Sequence, residues 1–328
     1  MLLSSICIGR KDMTKSWPKP TVVIAVLGIT VGYPIVACAQ VSCDMRLAFW
    51  QKDKSIVSGK TAVLETQDAT ALFFQDRLNV NTDGTRRSYS VSDFWGEKTA
   101  VNNLCNAMSD KCAGLDKTGL AARRQLTQKV ASQGWPAKGF KQTRISPDII
   151  PLKNGKPCPE VDGYLVSATA LTRTKVADVC DLGRYVDALH VPALVIPKNS
   201  TNFGTRRAKI GDLVVAMLPD QAVPVYAVVG DSGPEDELGE GSLALNGKIL
   251  GKSEPINYRE IRGKPPFTYK DAWVTPPTAI LIFPATRDTK DPYITADRIE
   301  TAARPLFENW GGVERMRACF DAAKAMKQ

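Results

Sequence analysis

Residues 212–218, DLVVAML, and 222–229, AVPVYAVV, are two Val-rich apolar runs, and the second leads directly into residues 230–241, GDSGPEDELGEG. Short β-branched runs bounded by Pro, Gly and Asp have the length and composition of buried strands rather than of helices. Comparable runs lie on either side: YLVSATAL (164–171), PALVIP (192–197), SLALNGKIL (242–250) and TAILIF (278–283). Asn246-Gly247 is the strongest hairpin signal in the chain, so a two-stranded turn is expected there. The middle of the chain reads as a compact β core.

Outward from this core the periodicity changes. Residues 41–100 read as strands and turns, with TALFFQDRLNVNTDGTRRSYSV (70–91) alternating around an Asp83-Gly84 turn. Residues 98–132 carry Leu104, Met108, Leu120, Leu126 and Val130 at helical intervals, interrupted near Gly114, which predicts two short amphipathic helices. Beyond Thr295, ADRIETAARPLFENWGGVERMRACFDAAKAM (296–326) predicts two helices parted at Trp310-Gly311-Gly312. No linker or internal repeat divides these parts. The expected architecture is one α+β domain over residues 40–328, a β-barrel-like core of mostly antiparallel strands with peripheral helices, the last of them within 295–328.

The N-terminus reads as an address. Residues 20–36, PTVVIAVLGITVGYPIV, are uncharged and follow Arg10, Lys11, Lys15 and Lys19, the order of a signal peptide, with Met13 a second candidate start. Ala37-Cys38-Ala39 offers cleavage before Gln40, the favoured reading. Ile35-Val36-Ala37-Cys38 resembles a lipobox that would lipidate Cys38 and tether the protein to the cell envelope. Removal of residues 1–39 leaves Cys43, Cys105, Cys112, Cys158, Cys180 and Cys319. An even count in an exported chain favours disulfides over zinc, since no CxxC pair occurs; 15 connectivities are open, and Cys105 and Cys112 are close enough for a local bridge. A secreted or periplasmic protein is expected.

The full chain of 328 residues carries 43 Lys and Arg against 34 Asp and Glu, and a single histidine, His190. One imidazole disfavours metal and triad hydrolases, and neither a metal nor a cofactor is expected. The net charge of +9 points first to a polyanion. Four basic residues and one acidic residue leave with the leader, so the excess falls to +6. No basic stripe with interleaved aromatics accompanies it, so no nucleic-acid partner is expected. Between Lys209 and Lys248 there is no cation, while Asp212, Asp220, Asp231, Glu235, Asp236, Glu237 and Glu240 give that window a charge of −7.

A solvated loop or a calcium loop would account for clustered carboxylates. Against solvation stands their placement: Asp231 ends an apolar strand, and Glu240 immediately precedes the next, each flanked by Gly. Two carboxyls on rigid edges are what hydrolysis of a glycosidic bond needs, one kept protonated and the other ionised. Inverting enzymes hold the pair roughly 6.5–9.5 Å apart and retaining enzymes near 5.5 Å.

At these residues the chain resembles glycoside hydrolase family 75, the chitosanases. The ordered set is Tyr185-Val186-Asp187-Ala188, PALVIP, Gly211-Asp212 before an apolar strand, VVGDSGP (228–234) and LGEGSLAL (238–245), with LNVNTDGTRRSY (78–89) upstream. The likeness runs from about residue 70 to about 285. It implies endo-hydrolysis of β-1,4-linked glucosamine polymers with inversion, with Glu240 as general acid and Asp231 as base, or the reverse. Asn79 and Asn81 stand where acidic residues would be more typical, and the C-terminal helices have no counterpart. A polycationic polysaccharide fits the acidic window. Peptidoglycan cleavage is the alternative that fits the overall positive charge, and a non-catalytic cell-wall carbohydrate-binding protein is the alternative from another class.

Four further residues are candidate substrate contacts. Asp187 and Tyr185 precede PALVIP, where Asp187 would bind a sugar amine or cap the turn; Asp212 opens an apolar strand; Asp83 is a turn residue first and a subsite residue second. His190 reads as a hydrogen-bonded core histidine. Trp50, Trp95, Tyr89 and Tyr226 read as core aromatics before sugar platforms, and Arg206, Arg207 and Lys209 as a solvated basic turn.

Overall fold

The apolar runs of the middle chain pair with the first strands into one nine-stranded sheet. The computed structural model describes residues 41–326; the leader, with its cleavage and lipidation signals, lies outside them. In chain order the strands are β1 (Met45–Lys52), β2 (Lys60–Thr66), β3 (Leu72–Asp76), β4 (Asn79–Asn81), a two-residue ribbon of β5 (Leu152–Lys153) and β6 (Lys156–Pro157), then β7 (Ala193–Pro197), β8 (Leu213–Met217), β9 (Val225–Gly233), β10 (Glu240–Ser242) and β11 (Thr278–Phe283). The sheet runs β1-β2-β3-β11-β8-β9-β7-β10-β4. Only β7–β9 and β10–β4 are parallel.

The helices are α1 (Lys117–Ser132), α2 (Ala137–Thr143), α3 (Thr201–Thr205), α4 (Leu243–Leu250), α5 (Tyr258–Ile261), α6 (Ala296–Trp310) and α7 (Gly312–Met326). In α6, Ile299, Ala303, Phe307 and Trp310 form one buried stripe, and Met316, Cys319 and Phe320 continue it in α7. This stripe packs on Phe73, Val215, Val228 and Leu281 of the sheet. On the opposite face, Phe203 of α3 and Leu245 and Ile249 of α4 pack on Val214, Ala227 and Ile282. The α+β class is as expected, but the sheet is open, with β1 and β4 as its edges, rather than a barrel.

Two strand expectations are corrected. SLALNGKIL forms helix α4 instead of a hairpin: Ser242 Oγ accepts from Leu245 N at its start, and Gly251 ends it with φ 68°. Asn246 is fully buried, and its Nδ2 donates to the carbonyls of Leu78, Asn79 and Trp273. At Gly247 a Cβ would lie 2.8 Å from Lys252 O and 3.0 Å from the Trp273 ring. Asn-Gly serves tertiary contact here, a use that local turn statistics do not encode. YLVSATAL forms no strand, because its N–H groups go singly to different segments: Leu165 to Tyr89, Ala168 to Ile149 and Leu171 to Gly230. Without a common partner no ladder forms.

The first predicted helix between residues 98 and 132 shortens to a 3-10 turn at Leu104–Ala107, and α1 is the second. Three disulfides join Cys43 to Cys319, Cys105 to Cys112 and Cys158 to Cys180. Such bonds belong to an oxidising compartment outside the cytoplasm. Among the described residues no helix is long and apolar enough to cross a membrane.

Candidate active site

The strand β9 reaches further than its apolar run, and a single extra residue decides where its end points. Val228 pairs with Ala193 and Val229 with Leu194, but the next pair is Asp231 with Val195, leaving Gly230 as a bulge. Val228 and Ala193 face the core under α6, while Val229 and Leu194 face the opposite core. In a regular ladder residue 231 would share the face of Val229. The bulge turns its carboxyl to the other face, as bulges beside functional sites do. Only glycine fits, since a Cβ at residue 230 would lie 2.6 Å from that of Ala193.

Val195 pairs with Glu240 on its other side, so Asp231 and Glu240 flank one buried residue and face one cleft. Glu240 leans back over β9, its Oε2 3.3 Å from where a Cβ of Gly233 would lie. Gly233 is the next same-face position after Asp231, about 7 Å along the strand. The cleft has a volume of about 720 Å³. Its floor is the β9-β7-β10-β4 end of the sheet, and its opposite wall comes from Asn102, Asn106, Lys111, Ile149 and Tyr258. A second recess of about 450 Å³ shares Asn106, Lys111 and Tyr258 with it and continues to Trp95.

The two carboxyls have contrasting surroundings. Asp231 Oδ1 accepts from the backbone N–H of Ser232 (2.8 Å) and Ala170 (3.0 Å), and Oδ2 accepts from Asn81 Nδ2 (3.3 Å). Three donors favour the ionised form, while burial, the larger effect, pushes the group up to about 6. Glu240 accepts no hydrogen bond from any described residue. Burial pushes it up to about 7, with the charges of Glu237 and Asp231 adding and Lys111 and Arg262 opposing.

Asp83 is the third carboxyl of the cleft. Asn81 Oδ1 accepts from Asp83 N at 2.8 Å, an Asx turn that fixes the amide whose other end holds Asp231. Tyr89, 1% exposed, donates its hydroxyl to Asp83 Oδ1 at 2.7 Å and accepts from Asn102 Nδ2 at 3.2 Å. Burial, then the charge of Asp231, pushes Asp83 up to about 8 against the Tyr89 hydrogen bond. Among the described residues no group of His, Cys, Asp and Glu has the arrangement to hold a metal ion.

The other candidates lie elsewhere. Asp212 is fully buried, its carboxylate accepting from Lys209 N and Arg287 N, and it closes the turn into β8. Tyr185 is buried with its hydroxyl on Val179 O. Asp187 accepts from Leu189 N and pairs with His190 Nδ1 at 2.7 Å, so the turn-capping role applies, in a separate recess beyond Gly84. His190 is exposed, contrary to the core reading, because the chain turns outward at Asp187 before β7. Arg206 pairs with Glu65 and lies over Phe49 instead of in solvent. Trp50 lies on the exposed edge strand and Tyr226 packs on Phe307. Asn81, Asn102, Asn106, Lys111, Tyr258 and Arg262 escape sequence reading: only the departure at Asn81 carries a signal.

No family model matches the chain, and no curated protein matches its sequence.

Proposed function

We propose that the protein is an exported glycoside hydrolase that cleaves β-1,4-linked glucosamine polymers within the chain, with inversion, using Asp231 as base and Glu240 as acid. The observation that carries this reading is the asymmetry of two carboxyls in one cleft: Asp231 is held by three N–H donors, and Glu240 by none. A carboxylate held by donors stays ionised and can take a proton from water; an undonated, buried carboxyl keeps its proton to deliver to the leaving oxygen. This asymmetry favours the stated role assignment over its reverse.

Glu240 Oε2 lies over Gly233, the next same-face position beyond Asp231, so the two carboxyls are offset along β9, and inversion is carried over from the resemblance to the chitosanases. A cleft continuing into a second recess supports a polymer lying across the pair, hence endo cleavage. Five carboxyls (Asp83, Asp148, Asp231, Glu237 and Glu240) against Lys111, Lys198 and Arg262 in the lining support a cationic substrate. The resemblance to the chitosanases supplies the polymer's identity.

The experiment is release of reducing ends from chitosan by wild type, Asp231→Asn and Glu240→Gln, with the anomer followed by NMR. Loss of ~10²–10⁴-fold in each variant, with the inverted anomer first, is expected. Full activity in either folded variant would remove that residue from the mechanism. Cleavage of peptidoglycan alone would replace the substrate, and polysaccharide binding without cleavage would leave a binding protein.

A further inference from the structure

Asp83 is held differently from both members of the pair. One oxygen is occupied by Tyr89, itself fixed by Asn102, and Asn102 also donates to Thr82 Oγ1 at 2.9 Å. The other oxygen, Oδ2, accepts no hydrogen bond from a described residue. The Asx turn on Asn81 fixes the backbone, and Gly84 locks it from behind, since a Cβ there would fall 1.9 Å from Val186 O. A turn this constrained presents one unoccupied carboxyl oxygen to the cleft. Asp231 faces it from β9, Glu240 from β10, and Tyr89 and Lys111 from the opposite wall. Three of these four neighbours carry or can carry negative charge, and only Lys111 opposes them.

We propose that Asp83 is the specificity-determining residue for a free amine: its Oδ2 receives the ammonium group of a glucosamine unit bound beside the Asp231–Glu240 pair. This deepens the hydrolase reading above and rests on it for the polymer. The chemistry selects a cation over a hydroxyl or an acetamide. An ammonium offsets the charge of the neighbouring carboxyls and lets Asp83 ionise and pair with it, whereas a neutral group leaves Asp83 protonated and gains no ion pair. Asp83 is protonated at neutral pH in the empty cleft, so the bound ammonium displaces the carboxyl proton to solvent. Binding then releases about one proton and tightens as pH rises toward neutrality, up to the pH at which the sugar amine loses its own charge.

The test uses the mature chain carrying Glu240→Gln, which blocks cleavage and keeps residue 240 neutral, as the protonated acid is. Calorimetric titration with glucosamine hexamer at pH 6.5, in two buffers of different ionisation enthalpy, should show proton release. Adding Asp83→Asn should lower affinity for this hexamer at least 10-fold and abolish the release, while affinity for the N-acetylglucosamine hexamer stays within 2-fold, a control for folding. Tyr89→Phe should lower affinity for the glucosamine hexamer by a smaller factor. Equal affinity of the two Asp83 forms for the glucosamine hexamer, or equal loss for both hexamers, would overturn the assignment. The outcome is separable from the hydrolase reading: amine-selective binding that depends on Asp83 in a protein whose wild type cleaves nothing keeps this inference and removes the activity. Cleavage that depends on Asp231 and Glu240 but is indifferent to Asp83 does the reverse.

Discussion

Asn81 Nδ2 lies 3.3 Å from Asp231 Oδ2, although the two residues sit on the first and fourth of four adjacent strands. A flat sheet would hold them about 14 Å apart. The β9-β7-β10-β4 end is therefore coiled tightly enough to bring its edge strand over its interior, and the cleft is the concave side of that coil.

Removing the Asn81 amide takes away a donor that stabilises the ionised base. In Asn81→Ala the Asp231 carboxyl should titrate higher, moving the acidic limb of the kcat profile to higher pH and lowering kcat near neutrality by ~10-fold. Asn81→Asp should shift the limb further in the same direction, because it adds a like charge. A limb that stays in place in both variants would show that Asn81 only supports the turn.

The wild-type profile itself should be bell-shaped. Asp231, near 6, must be ionised and Glu240, near 7, must be protonated, so the rate falls below about 6 as the base gains a proton and above about 7 as the acid loses one. The two limbs belong to the coupled pair. A profile flat from pH 5 to 9 would contradict the assignment.

Gly233 fixes the Glu240 carboxyl by having no side chain. A Cβ there would stand 3.1 Å from Val195 Cγ1 and 3.3 Å from Glu240 Oε2, so Gly233→Ala should displace the acid. A fall in kcat of up to ~10-fold with little change in melting temperature is expected, because the acid must give way by a few tenths of an ångström and a full 1 Å would cost about 10²-fold.

Asp83 should trade stability for function. Its folded-state value, near 8, lies above the ordinary 3.8, so the folded protein favours the protonated form. The protein therefore loses stability through this group as pH rises from about 4 to about 8. Asp83→Asn, which mimics the protonated carboxyl, should raise the melting temperature at pH 8 and leave it unchanged at pH 4. Equal effects at both pH values would refute the linkage.

The Cys43–Cys319 bond spans 276 residues and ties the segment before β1 to α7. Cys43→Ser with Cys319→Ser should cost about 2–5 kcal/mol of unfolding free energy, measured by denaturant titration. Activity at low temperature should persist, since neither cysteine nor any residue of α7 lines the cleft.

Legibility varied with the range of the interactions involved. PALVIP, DLVVAML, AVPVYAVV and TAILIF read as strands because five or six consecutive buried residues leave no other local solution. The C-terminal helices read correctly for the same reason, their apolar stripe recurring at the helical period and stopping at Gly311. SLALNGKIL failed because a serine cap and an apolar i, i+4 pair outweighed Asn-Gly once Trp273 could pack against Gly247. Asp231 and Glu240 were visible as strand-edge carboxyls. Asp187, Tyr185 and Asp212 look alike in sequence, yet spend their polar groups on turns.

By itself, the sequence determined the α+β class, the main strands, and the acidic window with its two strand-edge carboxyls, all of them set within a few residues or by composition, and it made the Cys105–Cys112 bridge possible without choosing it among the pairings. Tertiary structure alone decided the open sheet, the long-range disulfides, the bulge that turns Asp231 into the cleft, and the arrival of Asn81, Asp83 and Tyr89 beside it. The physical reason is that burial and hydrogen bonding between segments up to 150 residues apart set both the direction of a carboxyl and the proton it carries. No periodicity along the chain records those contacts.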